Sequence, residues 1–548
     1  MSSNSVGHTW VQRTAIVSAL AAMAVCTAGA QAPSPIPGDP IVTDAGKVSG
    51  IILENGIHGY LGVPFGAPPV GDLRWRAPAP VKPWTGVYNA SELKAPCAQR
   101  GGGSEGEKPS EDCLYLNVWV PPTAKPGAKL PVLVFIYGGG FGGGSASSPG
   151  YAGAELAKKN VIRVNIAYRV GIFGYFALPE LSAESGHHAS GDWGSLDQVA
   201  GLQWVQRNIA AFGGDPANVT LFGQSAGSES VYQLQASPLG HGLFAKVSGW
   251  SGADLPPGGQ APHSLAEGEA TGLKVERGLK FSSVAEMRAV PWEQLLTDLA
   301  TLAGPQQGPG GGGGGFNARP IVDGYFLPDL PEAIFKASKE NDVPNYQSST
   351  LEDLGSAMAF YDNVHTVADL QKVGKEAFGE NAEEFFKLFP ATNDDEARKV
   401  ALLVSGDTGF GISNRDWARS QALVSKKPVY LAQWAHVPPP SSKPGGPNFG
   451  KGPSHGSDIT YWMGNFSAHP DRAWTDWDHE LSNKMQDSLV AFAKTGNPNT
   501  SAVKVPRYDP KNEERVVFGD TIYVDKLNTT QIEFLRAHAP KRQGPGGR

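Results

Sequence analysis

The chain has 548 residues, 40% of them hydrophobic and 18% charged. That balance rules against an intrinsically disordered protein and leaves enough chain for one large core or several smaller ones. The formal net charge is −7 and no stripe of clustered Lys and Arg is present, which argues against nucleic acid as a partner.

The first 30 residues read as a targeting segment. Arg13 leads into AIVSALAAMAVCTAGA, and Ala28-Gly29-Ala30 offers an A-x-A cleavage site. The alternative is a buried N-terminal helix. As a signal peptide the segment would send the protein to the periplasm or the medium, and Cys26 would leave with it. The apolar run is too short for a membrane span, and no later stretch is long and apolar enough. Cys97 and Cys113 then remain. In an exported chain such a pair is most simply a disulfide. The loop it closes, CAQRGGGSEGEKPSEDC, has little to pack, so a crosslink worth about 3 kcal/mol would matter. A metal site is the alternative, but no histidines lie nearby.

Residues 41–76 alternate apolar and polar positions between glycine turns, the pattern of small antiparallel hairpins. LYLNVWVP (114–121), PVLVFIY (131–137) and NVIRVNIAY (160–168) read as strands, the second apolar enough to be central. SLDQVAGLQWVQRNIAAF (195–212) has helical spacing, and NVTLF (218–222) is a strand. PVYLAQWAH (428–436) is a further strand, and ELSNKMQDSLVAFAKTG (480–496) a helix closed by Gly496. The rhythm predicts an α/β fold with a large, mostly parallel sheet covered by helices on both faces. Residues 31–540 are expected to form a single domain. Low-complexity insertions lie near 304–316 and 438–453, and a flexible basic tail follows at 541–548.

Ser225 lies in FGGDPANVTLFGQSAGSES, flanked by Gly223 and Gly227. On its own a glycine-flanked serine is an ordinary turn residue. Here an apolar strand precedes it and a helix-compatible run follows, the setting that projects a nucleophilic hydroxyl. Such a serine needs a base, an acid and oxyanion donors. The donors are expected from YGGGF, where glycines follow a central strand and leave backbone N–H groups unobstructed. Gly139, Gly140 and Ala226 are the candidate donors. The base is expected late in the chain. His455, in GKGPSHGSDITYW, has small neighbours that leave room for substrate; His436, at the end of a strand, is the rival, with a structural role as its other reading. For the acid, VPNYQSSTLEDLGSAM offers Glu352 and Asp353 side by side.

These segments together resemble the type-B carboxylesterase family, which includes cholinesterases and bacterial para-nitrobenzyl esterases. The resemblance covers about residues 40–525 through GVPFGAPPVGDLRWRAP, EDCLYLNVWVP, YGGGF, FGGDPANVTLFGQSAG, HGSDITYWMGNF and AKTGNPN, in that order. It implies an α/β-hydrolase fold, a small-molecule ester substrate, an acyl-enzyme route and no metal or organic cofactor. It also supports the Cys97–Cys113 pairing. Counting from Val343-Pro344 places Asp353 at the acid position, with Glu352 in reserve; the family's commoner residue there is Glu. The strand before it, NYQSST, is more polar than the family pattern. Ser228 and Glu229 stand where small residues are usual, and Ser251 falls where a serine often supports the acid. Two other readings use the same scaffold. One is a binding protein without catalysis, although such relatives lose the serine or histidine. The other keeps the triad for amides, lactones, polyesters or toxin esters.

Overall fold

The structure is a computed structural model that describes residues 36–101, 108–303, 316, 318–353, 358–443 and 452–539. The expected leader with Cys26, nearly all of the 304–316 insertion, residues 444–451 of the second insertion and the basic tail lie outside the described residues.

An eleven-stranded sheet organises the rest. Its strands, in chain order, are β1 (Ile51–Ile52), β2 (His58–Pro64), β3 (Tyr115–Val120), β4 (Leu130–Ile136), β5 (Ile162–Ile166), β6 (Gly214–Gln224), β7 (Lys246–Trp250), β8 (Asn345–Thr350), β9 (Val429–Trp434), β10 (Glu514–Phe518) and β11 (Ile522–Lys526). In space the order is β11-β10-β9-β8-β7-β6-β4-β5-β3-β2-β1. From β5 across to β10 every neighbour is parallel. The pairs at both ends of the sheet are antiparallel. The near-continuous apolar run of β4 is explained by its place in the middle, where both faces are covered.

Strand β9 shows how the two faces differ. Tyr430, Ala432 and Trp434 join the larger core, whereas Val429 and Leu431 join a second core built from Phe360, Phe378, Phe385 and Phe534. The two-residue period of a strand sends alternate side chains into separate hydrophobic layers. Helices α1 (Trp193–Asn208), α2 (Ala226–Ala236), α3 (Ile412–Val424) and α4 (Asp476–Thr495) pack on this sheet. Thr475 and Asp478 form a capping box at the start of α4, and Gly496 ends it at φ +77°.

Two expectations change in detail. Residues 41–76 do form hairpins, but they divide between two sheets. Ile41–Val42 pairs antiparallel with Lys47–Ser49, which takes Val87–Asn89 as a parallel partner. The β1–β2 hairpin instead extends the main sheet, because β2 is buried and pairs along β3. The polar strand β8 is fully buried, and helix α3 supplies partners for its amide side chains. Asn345 donates to Gln421 Oε1 at 2.8 Å, and Asn414 donates to Gln347 Oε1 at 2.8 Å.

Candidate active site

Strand β6 ends at Gln224 and α2 begins at Ala226, so Ser225 alone makes the turn. Its backbone stands at φ +58°, ψ −128°. A side chain there costs about 1–3 kcal/mol unless the surroundings enforce it. They do: the Ser225 N–H donates to Trp250 O at 2.8 Å. The flanking glycines are steric requirements. A Cβ on Gly223 would lie 2.2 Å from Gly227 O, and one on Gly227 would lie 2.1 Å from Ile136 O.

The glycine loop leaves the end of β4 beside this turn. Tyr137 and Tyr168 stack and exchange hydrogen bonds, each hydroxyl donating to the other's carbonyl at 2.8 and 2.9 Å. A Cβ on Gly138 would meet Ser225 Cβ at 2.8 Å, so only glycine lets the loop approach so closely. Gly139 (φ +124°) and Gly140 (φ +60°) follow and are exposed. Neither donates its N–H to a backbone carbonyl among the described residues. Ala226 opens α2, where a first-turn N–H has no intrahelical acceptor.

A residue that sequence reasoning missed braces this loop. Gln99 Nε2 donates to Gly144 O at 2.8 Å, and its Oε1 accepts from Gly144 N–H at 2.8 Å. Gln99 sits two residues beyond Cys97, which is disulfide-bonded to Cys113. The crosslinked loop thus holds the far side of the glycine loop.

His455 Nδ1 lies 2.5 Å from Asp353 Oδ1. The Asp353 side chain is fully buried and that of His455 is 14% exposed. Asp353 Oδ2 and Ser251 Oγ both accept from the Thr350 N–H, at 3.4 and 3.3 Å, so the two side chains share one donor. Glu352 takes a different direction. Its carboxylate reaches towards Gly452 and Tyr361, and burial followed by Asp362 and Asp353 pushes it up to about 7. His436 lies between Asp478 and Asp520, at 2.9 and 2.6 Å, and has no part in this group.

The other ring nitrogen of His455 meets Gln224 Nε2 at 3.1 Å; no hydrogen bond joins it to Ser225 Oγ. Gln224 immediately precedes Ser225, and its neutral amide takes the second ring nitrogen of His455. Asp458 was also missed. It is fully buried, neither oxygen has a hydrogen-bond partner among the described residues, and burial pushes its carboxyl up to about 7, against the pull of His455. Its place in HGSD, one turn beyond the histidine, was the available signal. Ser228 donates to Gly252 O at 2.5 Å, and buried Glu229 lies 3.7 Å from Arg319. Both therefore serve the inner face of α2.

The family model for the carboxylesterase family matches residues 39–535. The chain belongs to the carboxylesterase family. The esterase is 33% identical to Fumonisin B1 esterase of Sphingopyxis macrogoltabida, across 86% of this chain and 85% of that protein. It is 31% identical to the para-nitrobenzyl esterase of Bacillus subtilis, across 88% and 96% respectively. A solved PNB esterase structure superposes with a TM-score of 0.73 at 29% identity, covering 90% of this chain and 99% of that one. The fold is that of the α/β hydrolases, and the protein is a serine carboxylic ester hydrolase for small-molecule esters. No helix among the described residues is long and apolar enough to cross a membrane.

Proposed function

We propose that the esterase cleaves its substrate through an acyl-enzyme on Ser225. His455 takes the Ser225 proton as the hydroxyl oxygen attacks the ester carbonyl. The N–H groups of Gly139, Gly140 and Ala226 hold the resulting oxyanion, each donor being worth about 3–4 kcal/mol at the transition state. Asp353 fixes the imidazole tautomer and stabilises the imidazolium. His455 then protonates the departing alkoxide. In the second half it deprotonates water, which attacks the acyl carbon, and it returns the proton to Ser225. Gln224 must yield the Nε2 side of the ring before the first transfer. The observation that carries this reading is the strained Ser225 turn, set against a glycine loop and next to a histidine whose other nitrogen is held by a buried aspartate. Export by residues 1–30, to the periplasm or the medium, belongs to the same proposal; the Cys97–Cys113 disulfide supports it.

The test is a set of initial rates on p-nitrophenyl esters of increasing acyl length, for the wild type and Ser225→Ala. An acyl-enzyme route gives a burst in the wild type and no turnover in the variant. Equal rates in both would remove Ser225 from the mechanism. The 33% identity to Fumonisin B1 esterase favours a second substrate reading, in which fumonisin B1 is itself hydrolysed. Product release from that toxin, run beside the p-nitrophenyl series, decides it.

A further inference from the structure

A cavity of about 190 Å³ opens between segments 75–77, 181–196 and 323–325. None of its lining residues belongs to the Ser225 turn, the glycine loop or the His455–Asp353 pair. One wall is aromatic. Trp75 and Trp193 both line it, and their indole N–H groups are already committed, to Ile172 O and Phe176 O at 2.9 Å each. The two residues, 1% and 3% exposed, therefore add apolar lining and no donor. At the outer side the exposed His187 ring stacks on Tyr325, with centroids 3.8 Å apart.

The polar part is acidic. Asp192 is 1% exposed. Its Oδ1 accepts from the Ile321 N–H at 3.2 Å, while its Oδ2 has no hydrogen-bond partner among the described residues. Asp323, also a lining residue, is buried and accepts the N–H groups of Tyr325 and Leu327 at 2.9 and 3.0 Å. Burial, and then the neighbouring Asp323, push the Asp192 carboxyl well up. The third carboxylate, Glu184, is already engaged by Arg76 at 2.7 Å and Arg288 at 3.0 Å. Arg76 is thus spent on Glu184, and the Asp192–Asp323 end has acceptors without a cation. A buried carboxylate oxygen left without a donor is costly. Aromatic faces opposite a carboxylate form the surface that attracts an organic cation. The described residues contain no group of three ligands suited to a metal ion.

We propose that this cavity binds a small organic ammonium, with its N–H groups on Asp192 and its carbon chain against Trp75 and Trp193. Free of ligand, burial favours the protonated form of the Asp192 carboxyl. The arriving cation expels that proton.

The test is titration calorimetry on the full chain, with n-butylammonium chloride as probe and butan-1-ol as its neutral counterpart, at constant ionic strength. Saturable millimolar binding of the ammonium is expected, at least about tenfold tighter than the alcohol. Asp192→Asn should weaken the ammonium by at least about tenfold and leave p-nitrophenyl ester hydrolysis unchanged. Two further measurements hold even if that variant does not fold. Tyr325→Ala should weaken binding several-fold, and the wild-type heat should vary with the ionisation enthalpy of the buffer as the proton is released. Absence of saturable binding, equal affinity for alcohol and ammonium, or heats independent of the buffer would each overturn the proposal.

Discussion

His455 and His436 are built from the same parts, an imidazole and buried aspartate, and they differ in what the second nitrogen meets. In His436 both nitrogens face carboxylates, Asp520 at 2.6 Å and Asp478 at 2.9 Å. Asp478 is itself fixed by the Tyr461 hydroxyl at 2.5 Å and by the capping box of α4. The buried Asp478 contact ties the ring, just beyond β9, to α4, and the exposed Asp520 holds the other nitrogen at the surface. In His455 one nitrogen has its aspartate and the other meets only the neutral amide of Gln224. A general base needs that asymmetry: one side held, the other able to exchange partners. Two histidines with near-identical acid contacts thus separate into a structural clamp and a candidate catalyst.

The largest effect that can break this comparison comes from the acids. Asp353→Asn is expected to lower kcat by about 10⁴-fold, since the imidazole loses its tautomer and its counter-charge. Asp478→Asn should change kcat only a few-fold while costing about 1–3 kcal/mol of stability through lost buried hydrogen bonds. Steady-state rates beside melting curves separate the two, and matching losses of activity would erase the distinction.

Next comes the brace on the glycine loop. Gln99→Ala removes both bonds to Gly144. A slight displacement of oxyanion donors should lower kcat by about ten- to a hundredfold with a smaller change in KM. An unchanged kcat on p-nitrophenyl acetate would show that the loop holds its shape unaided.

Gln224→Glu sharpens the comparison by giving His455 a carboxylate on both sides, as in His436. The added charge holds the imidazolium more firmly, so the acid limb of kcat/KM should move up by about one pH unit. A pH profile that does not move would place the new carboxylate away from the ring.

The smallest effect on turnover comes with a change in stability. The Asp458 carboxyl rises from 3.8 to about 7 in the folded protein. The folded state therefore binds more protons than the unfolded chain across that interval, and stability falls as pH climbs from about 4 to about 7. Above 7 the buried charge costs on the order of a few kcal/mol. Asp458→Asn should flatten the dependence of Tm on pH in that window and raise Tm at pH 8. A variant that keeps the wild-type slope would assign the slope to other groups, Glu352 first among them.

Much of this molecule was legible because local rules carry it. The apolar runs of β4 and β6, the glycine that ends α4 and Gly223, which must clear the carbonyl of Gly227, each answer a constraint within a few residues. Other features needed the chain to close on itself. Gln99 meets Gly144 across 45 positions, and Gln224 meets His455 across 231. Glu352 and Asp353 are adjacent and chemically alike, and only the direction of each side chain tells them apart. The polar strand β8 looked anomalous by itself. It becomes ordinary once Asn414 and Gln421 of α3 are opposite its amides.

The covalent link between Cys97 and Cys113 has a consequence for how the esterase is made. Through Gln99 it connects the oxidation state of two sulfurs to the shape of the loop beside Ser225. Molecules folded in a thiol-rich cytosol would carry an intact serine and histidine yet a looser donor loop. Specific activity would then record the compartment of synthesis, and air oxidation of a reduced batch would raise it without any new protein being made.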